Sequence, residues 1–423
     1  MCAMLQAGSL HLLCLTASSG VPLFSRGVSR QLPFSVIGSL NGVHMFGGGQ
    51  GAVLSCCETD SGGRVVWKVF QESVMLIAVN GEQGGAVDDF QLRRLLENTW
   101  NCMVLVLGQD ELVNARNVER LKRDLRSCYR LIDLFLEGAG DGMGDLTHCA
   151  DCLLVPQPGP LQEALDTFTQ ASESEFGCLL VHGKVVVATE KWWRLAPQEV
   201  VLLSALVRTF SGSSSCDHPV FLPQGSPTVP LRLLRFQLLP GADLCVLCGP
   251  APSLQTAESQ LVARFWCPLV ETLRGCLALS GRCLPGSVKL HGDVLGLLLI
   301  NRESRRAVST VTPGDTPPGR PRPARCRELL RLFYVFAATR YLGPEEAGVP
   351  GERRQGDPLE EDFTLGFSHQ PLQCYLVTEE CKLFGLQTPQ HQLYLLMPVS
   401  VPTFALRSLA TRTLSALTSS TGF

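Results

Sequence analysis

The sequence predicts an α/β protein made of three small units, each an antiparallel sheet flanked by helices. Three observations predict it. A hairpin pattern, two short apolar runs around a turn, occurs at residues 10–26, 176–190 and 293–311. Each hairpin is followed by an amphipathic helical stretch, further strand-like runs and another helix. The chain has 423 residues, which ordinary domain sizes divide into two to four units. The three starts are unequally spaced and share no obvious identity, so the repeat is one of architecture. The boundaries it implies are 1–140, 141–286 and 287–423.

In the first hairpin, Ser18, Ser19 and Gly20 separate the runs 10–16 and 21–26, and glycine takes a positive φ there without steric cost. Residues 35–46 (SVIGSLNGVHMF) read as a helix after Pro33, with Ser35 as its N-cap. Val36, Leu40 and Val43 form its core side. Phe34, Gly38, Asn41, Gly42 and Met45 form the opposite side. Each glycine inside a helix costs up to about 1 kcal/mol against alanine, and close approach of another chain would offset that. Phe34, Gly38, Asn41, Gly42 and Met45 are therefore the expected partner interface. The glycine run 47–51 should end the helix, with strands at 52–57, 65–70 and 73–79. A helical period resumes over 88–107, with Leu92, Leu95, Leu96, Thr99, Met103 and Val106 on one side. Residues 111–136 read as one long helix, its stripe formed by Val118, Leu121, Leu125, Cys128, Ile132 and Phe135. Arg116, Arg120, Arg123 and Arg130 run along the other side, interspersed with Glu111, Glu119 and Asp124. That mixture reads as a solvated face before it reads as a lipid or acidic-partner site.

The second unit is expected to hold a helix at 161–171, a hairpin turning at His182-Gly183, and a helix at 197–210 opened by Pro197. Strands at 219–222, 229–239 and 242–248 lead to a helix over 254–277, bent at Pro268. The third unit turns near residues 301–304, then runs through a helix at 326–341 and strands at 373–379, 381–388 and 392–398. It closes on an amphipathic helix through Leu406, Leu409, Leu414 and Leu417. The Pro/Gly-rich stretch 312–324 and the polar, acidic stretch 343–362 are expected to be disordered loops.

Composition narrows the function. Hydrophobic residues make up 45% and mean hydropathy is +0.16, ample for packed cores. A net charge of −3 and a pI near 6.3 give no sign of a dedicated nucleic-acid binder. The 18 cysteines would suit a disulfide-rich secreted protein, but no Lys or Arg precedes Arg26, so the basic start of a signal peptide is missing. The expectation is a soluble intracellular protein with reduced cysteines. Cys149/Cys152 and Cys245/Cys248 have zinc-like spacing. The second pair lies within a strand, whose residues three apart point to opposite faces, and the first has no glycine knuckle. Gly47–Gly49 with Gln50 and Gly51 ends a helix instead of opening one, unlike a phosphate-binding loop. His11 and His44 have no nucleophile placed beside them by local sequence, and Trp192 and Trp193 read as core. The residues alone thus point to a binding or assembly subunit with no cofactor, no metal and no catalytic group.

The element order of the first unit, β-β-α-β-β-β-α-α, resembles a longin domain. Longer words extend the likeness: HLLCL and ASSGVPLF within residues 11–24, QLPFSVIGSLNGVHMFG at 31–47, NVERLK at 117–122, WWRL at 192–195, GSPTVP at 225–230 and LRSLAT at 406–411. They thin out in 312–324 and 343–373. On these words the chain is similar to the three-longin subunits of Rab exchange factors, in their planar cell polarity branch. That resemblance implies a heterodimer with Inturned, itself a three-longin protein, and an assembly with Fritz and a Rab-like small GTPase. It also implies a place in the cytoplasm and cytoskeleton at the ciliary basal body, and a part in cilium formation and recruitment of intraflagellar transport proteins. Binding of phosphatidylinositol phosphates, and nucleotide exchange only as a heterodimer, are implied in the same way.

Overall fold

The computed structural model describes residues 10–27, 32–59, 62–81, 89–138, 142–210, 212–312, 321–342, 371–421 and 423. Residues 313–320 and 343–370 lie outside that set, and with them most of the two stretches expected to be disordered. The chain divides into two compact units. The first comprises residues 1–283 with 305–307, the second residues 284–304 with 308–423.

The first unit holds two sheets. β1 (Leu10–Thr16) and β2 (Pro22–Gly27) form the expected hairpin, and β3 (Cys56–Glu58), β4 (Arg64–Phe70) and β5 (Val74–Asn80) complete the sheet in the order β2-β1-β5-β4-β3. Its neighbouring strands pair antiparallel, with β1 against β5 from Leu10↔Asn80 to Thr16↔Val74. Helix α1 (Phe34–Gly49) crosses one face. Its Val36, Ile37 and Leu40 join Leu13, Leu15, Trp67 and Ile77 in one apolar cluster. β6 (Ala150–Asp151) precedes the second sheet, formed by β7 (Phe176–Val181), β8 (Lys184–Ala188), β9 (Ser215–Leu222), β10 (Ser226–Leu239) and β11 (Ala242–Cys248). Its order is β8-β7-β11-β10-β9. The turn between β7 and β8 places His182 at φ 48° and Gly183 at φ 76°, the left-handed pair that a two-residue hairpin needs.

Helix α2 (Asp89–Leu107) packs on β4 and β5 of the first sheet and on β9 of the second. Leu92, Leu95, Leu96, Thr99 and Met103 are buried as the sequence predicts. So are Asn98, Trp100, Cys102, Val104 and Leu105, because α2 is covered on more than one side. Phe70 stacks on Trp100 with ring centroids 5.0 Å apart, and Asn101 Nδ2 donates to Gln198 Oε1 at 3.3 Å. At the end of α2, Gly108 has φ +82°, and a Cβ there would lie 2.9 Å from the Phe221 ring.

The long helix expected over 111–136 is divided. It runs as Gln109–Val113, Val118–Asp124, a 3-10 turn at Leu125–Cys128, and Tyr129–Leu136. Leu121, Leu125, Cys128 and Ile132 are buried as expected, since a single 3-10 turn barely shifts a three-and-four apolar spacing. The helix expected over 254–277 is likewise interrupted around Pro268, which falls in the 3-10 turn Cys267–Leu269.

The second unit repeats the arrangement. β12 (Gly296–Asn301), β13 (Arg306–Val311), β14 (Gln373–Val377), β15 (Lys382–Gln387) and β16 (His391–Met397) run in the order β14-β15-β16-β12-β13. Read from the other edge, that is the order of the first two sheets. Residues 305–307 count with the first unit, where Arg306 and Ala307 pair in parallel with Ala150 and Asp151. Helices Pro323–Arg340 and Leu406–Thr421 flank β15 and β16. The fold is thus three antiparallel-rich sheets of one strand order, each flanked by helices.

Candidate functional site: an apolar helix face

Helix α1 starts directly after Pro33, which stands at the N-cap with φ −59° and ψ 146°, and Val36 N–H donates to Pro33 O at 3.0 Å. Ser35, expected as the cap, lies inside the helix, because proline already fixes the extended backbone that opens it. The three glycines 47–49 belong to the last turn, and the helix stops at Gln50. Its C-terminal carbonyls, not N–H groups, sit beside the glycine run, so the run offers nothing to a phosphate.

The buried side of α1 is Val36, Ile37 and Leu40, anchored by Trp67 Nε1 donating to Leu40 O at 3.3 Å. Val43, expected on that side, is 51% exposed, and Ile37 takes its place in the core. The buried arc is centred between Val36 and Ile37, which rotates Val43 into water. Of the expected interface residues, Phe34 is 76% and Met45 55% exposed. A Cβ at Gly38 or Gly42 would meet nothing within 4 Å, so among the described residues no later helix covers this face. Asn41 is different. It turns toward the β1–β2 hairpin, its amide filling the space where a Cβ on Gly20 would stand, and Nδ2 lies 3.4 Å from Met45 Sδ. Gly20, at φ +64°, has to be glycine on both counts.

Phe46, at 72% exposure, extends the face, and the sequence reading missed it. The signal was available: Phe46 sits four residues after Gly42, one helical turn along the same side. The whole of α1 carries no Lys, Arg, Asp or Glu. An exposed helix face with two Phe, a Met and a Val, two open glycines and no charge has the composition of an interface core, not of a solvated surface.

The arginine face has other properties. Arg116 lies in the connector before the helix Val118–Asp124, not on a helix, and Asn117 caps that helix by accepting from Arg120 N at 3.0 Å. Arg120 stands 4.0 Å from Glu111 and 3.4 Å from Asp124, and Arg123 3.8 Å from Asp124. Arg130 Nη1 reaches Thr209 O at 3.5 Å. All four arginines are exposed, and Arg120 and Arg123 stand beside carboxylates.

The residues weighed for chemistry are mostly interior. Cys248 belongs to the same apolar cluster as Leu244 and Val246, while Cys245 lies on the other face of β11 opposite Arg235, so their sulfurs do not converge. Burial pushes the Cys248 and Cys149 thiols up to about 11 and Cys152 to about 12. Among the described residues no group of three His, Cys, Asp or Glu could hold a metal ion, and no helix is long and apolar enough to cross a membrane. His11 is buried in β1, and burial holds its pKa below the usual value. Trp192 is buried, and the Arg306 guanidinium lies 3.8 Å over the Trp193 ring.

The sequence profiles of the first, second and third longin domains of FUZ, MON1 and HPS1 match residues 10–135, 172–267 and 293–421. Among characterised proteins, the chain is 51% identical to a Xenopus tropicalis protein named "Protein fuzzy homolog", covering 98% of this chain and 99% of that one. The Homo sapiens protein of the same name is 48% identical over 97% and 98%, and the Mus musculus protein 47% identical over 97% of each.

Proposed function

The chain belongs to the fuzzy-homolog family of three-longin proteins, and from that premise we propose that it is a scaffold subunit of a longin-based, GTPase-binding complex at the ciliary basal body. In this reading α1 supplies the contact with a second three-longin chain, Inturned, and Fritz and a Rab-like GTPase join the pair. Nucleotide exchange, where it occurs, belongs to the heterodimer. The observation that carries the reading is the uncharged, exposed face of Phe34, Gly38, Gly42, Met45 and Phe46. Longin-domain proteins of this family are not classical enzymes, and a scaffold needs no nucleophile or metal.

A phosphoinositide-binding adaptor using Arg116, Arg120, Arg123 and Arg130 draws less support, since Arg120 and Arg123 already stand beside Glu111 and Asp124. The test is purification of the tagged full-length chain from ciliated cells, at low and at high salt. An apolar subunit contact keeps a stoichiometric longin partner at both, whereas headgroup binding through exposed arginines collapses as salt rises. Recovery of the chain alone at both ionic strengths would refute the scaffold reading.

A further inference from the structure

Lys184, the first residue of β8, and Cys283 meet in the interior of the first unit. Lys184 Nζ lies 2.9 Å from Cys283 Sγ across 99 residues of chain, with Lys184 8% and Cys283 1% exposed. A buried aliphatic amine needs a partner; the Asp151 carboxylate lies near enough to feel the Lys184 charge, and the hydrogen bond from Nζ goes to the Cys283 sulfur. Cys283 is held in place from several sides. Its N–H donates to Leu279 O at 2.8 Å, its carbonyl accepts from Leu154 N at 3.1 Å, and its thiol donates to Ser280 O at 3.2 Å. Its φ is +58°, a left-handed conformation that a cysteine adopts only when the surroundings enforce it.

We propose that Lys184 and Cys283 are a redox-responsive pair that closes into a covalent sulfur–nitrogen link under peroxide. The first step is oxidation of the thiol by hydrogen peroxide. An S–O bond forms, the O–O bond breaks, and the products are a sulfenic acid and one water. The lysine nitrogen, having given its extra proton to solvent, then attacks the sulfur. An S–N bond forms, the S–OH bond breaks, and the hydroxide leaves as a second water with one of the two amine protons, the other staying on the nitrogen. One peroxide is consumed and the pair loses two hydrogens in all. The 2.9 Å separation is that of a near-attack pair, so the second step needs only the end of a flexible side chain to move. The neighbouring Gly281 and Gly286 are exposed, so the sulfur lies one short loop away from water. The link would fasten residue 283 covalently to β8.

The experiment treats the purified full-length protein with hydrogen peroxide, blocks remaining thiols, digests it and reads the peptides by mass spectrometry. The proposal expects a joined peptide pair, Lys184 to Cys283, lighter than the two free peptides by two hydrogens and separated again by a thiol reductant. It expects no such pair in Lys184→Arg or Cys283→Ser. Because the unfolded chain would then carry a closed loop, the oxidised wild type should melt several degrees higher than the reduced, and Lys184→Arg should show no such rise. Cys57 and Cys267 are exposed and serve as internal controls for oxidation. Wild-type protein in which those two are oxidised while Cys283 remains a thiol, or ends as a sulfinic acid, or is joined elsewhere, would overturn the proposal. A Lys184–Cys283 pair that retains an oxygen would overturn the direct bond.

Discussion

Gly42→Glu tests the α1 face in two independent measurements. In the isolated chain the new side chain meets open space, since nothing lies within 4 Å of its Cβ, and Gly42 has ordinary helical backbone. Replacing a mid-helix glycine by glutamate gains up to about 1 kcal/mol of helix propensity. Gly42 lies near the middle of α1, outside the last turn where a negative charge would oppose the helix dipole, so little of that is returned. The isolated subunit should therefore melt at or slightly above the wild-type temperature. In the proposed heterodimer the same carboxylate would be trapped among Phe34, Met45 and Phe46, with no charge on α1 to meet it. An uncompensated buried charge costs roughly 3–5 kcal/mol, and each 1.4 kcal/mol is about tenfold in Kd. Binding to Inturned, measured by calorimetry with purified chains, should weaken by about two to three and a half orders of magnitude. Unchanged affinity, or a melting temperature that falls, would refute the reasoning.

Three further predictions rest on the interior. Gly108→Ala puts a Cβ 2.9 Å from the Phe221 ring and holds alanine at φ +82°, so the urea midpoint should fall by the equivalent of about 1–3 kcal/mol. Arg235 Nε donates to Asp243 Oδ1 at 2.8 Å in a buried ion pair, so Arg235→Met should cost roughly 3–5 kcal/mol while adding Asp243→Leu restores most of it. A double-mutant cycle in which the two losses simply add would sink that account. His148 is held down to about 3, first by burial and then by the Arg94 charge, with Arg94 Nη1 2.7 Å from its Nδ1. Its folded pKa lies below its unfolded one, so its contribution to stability is complete above about pH 6.5 and is lost as pH falls toward 3, by up to about 1.4 kcal/mol per pH unit. His148→Asn, which tolerates the left-handed φ of 52° at this position, should flatten the difference in urea midpoint between pH 7 and pH 5.

The hairpins were legible because turn residues and apolar runs are local signals. β11 came out with the predicted bounds, and Ser18–Gly20 and His182-Gly183 turn where expected. What failed depended on neighbours far along the chain. α2 read as one-sided because β9, over a hundred residues later, supplies its second cover. The strand expected at 52–57 starts only at Cys56 and runs to Glu58, and α1 takes in Gly47–Gly49 where the glycine run was expected to end it. Val43 is exposed where it was expected buried, and Ile37, assigned to neither face, is buried, because positions at the margins of a helical stripe are separated by the shape of the sheet beneath, which a helical wheel does not contain. The same limit explains Asn41, whose place on the wheel gave no hint of the hairpin beside it.

The double cover of α2 bears on how the gene can be cut. The repeated architecture suggests a module ending near residue 140, and a designer would be tempted to express that piece by itself. Such a fragment would keep α2 but discard Gln198, Phe221 and the strand β9 that shield its far side. Apolar surface built for permanent concealment would then face the solvent of the cell. The smallest piece fit to be handled alone is set by where that shelter ends, after the second sheet, and not by where the repeat begins again.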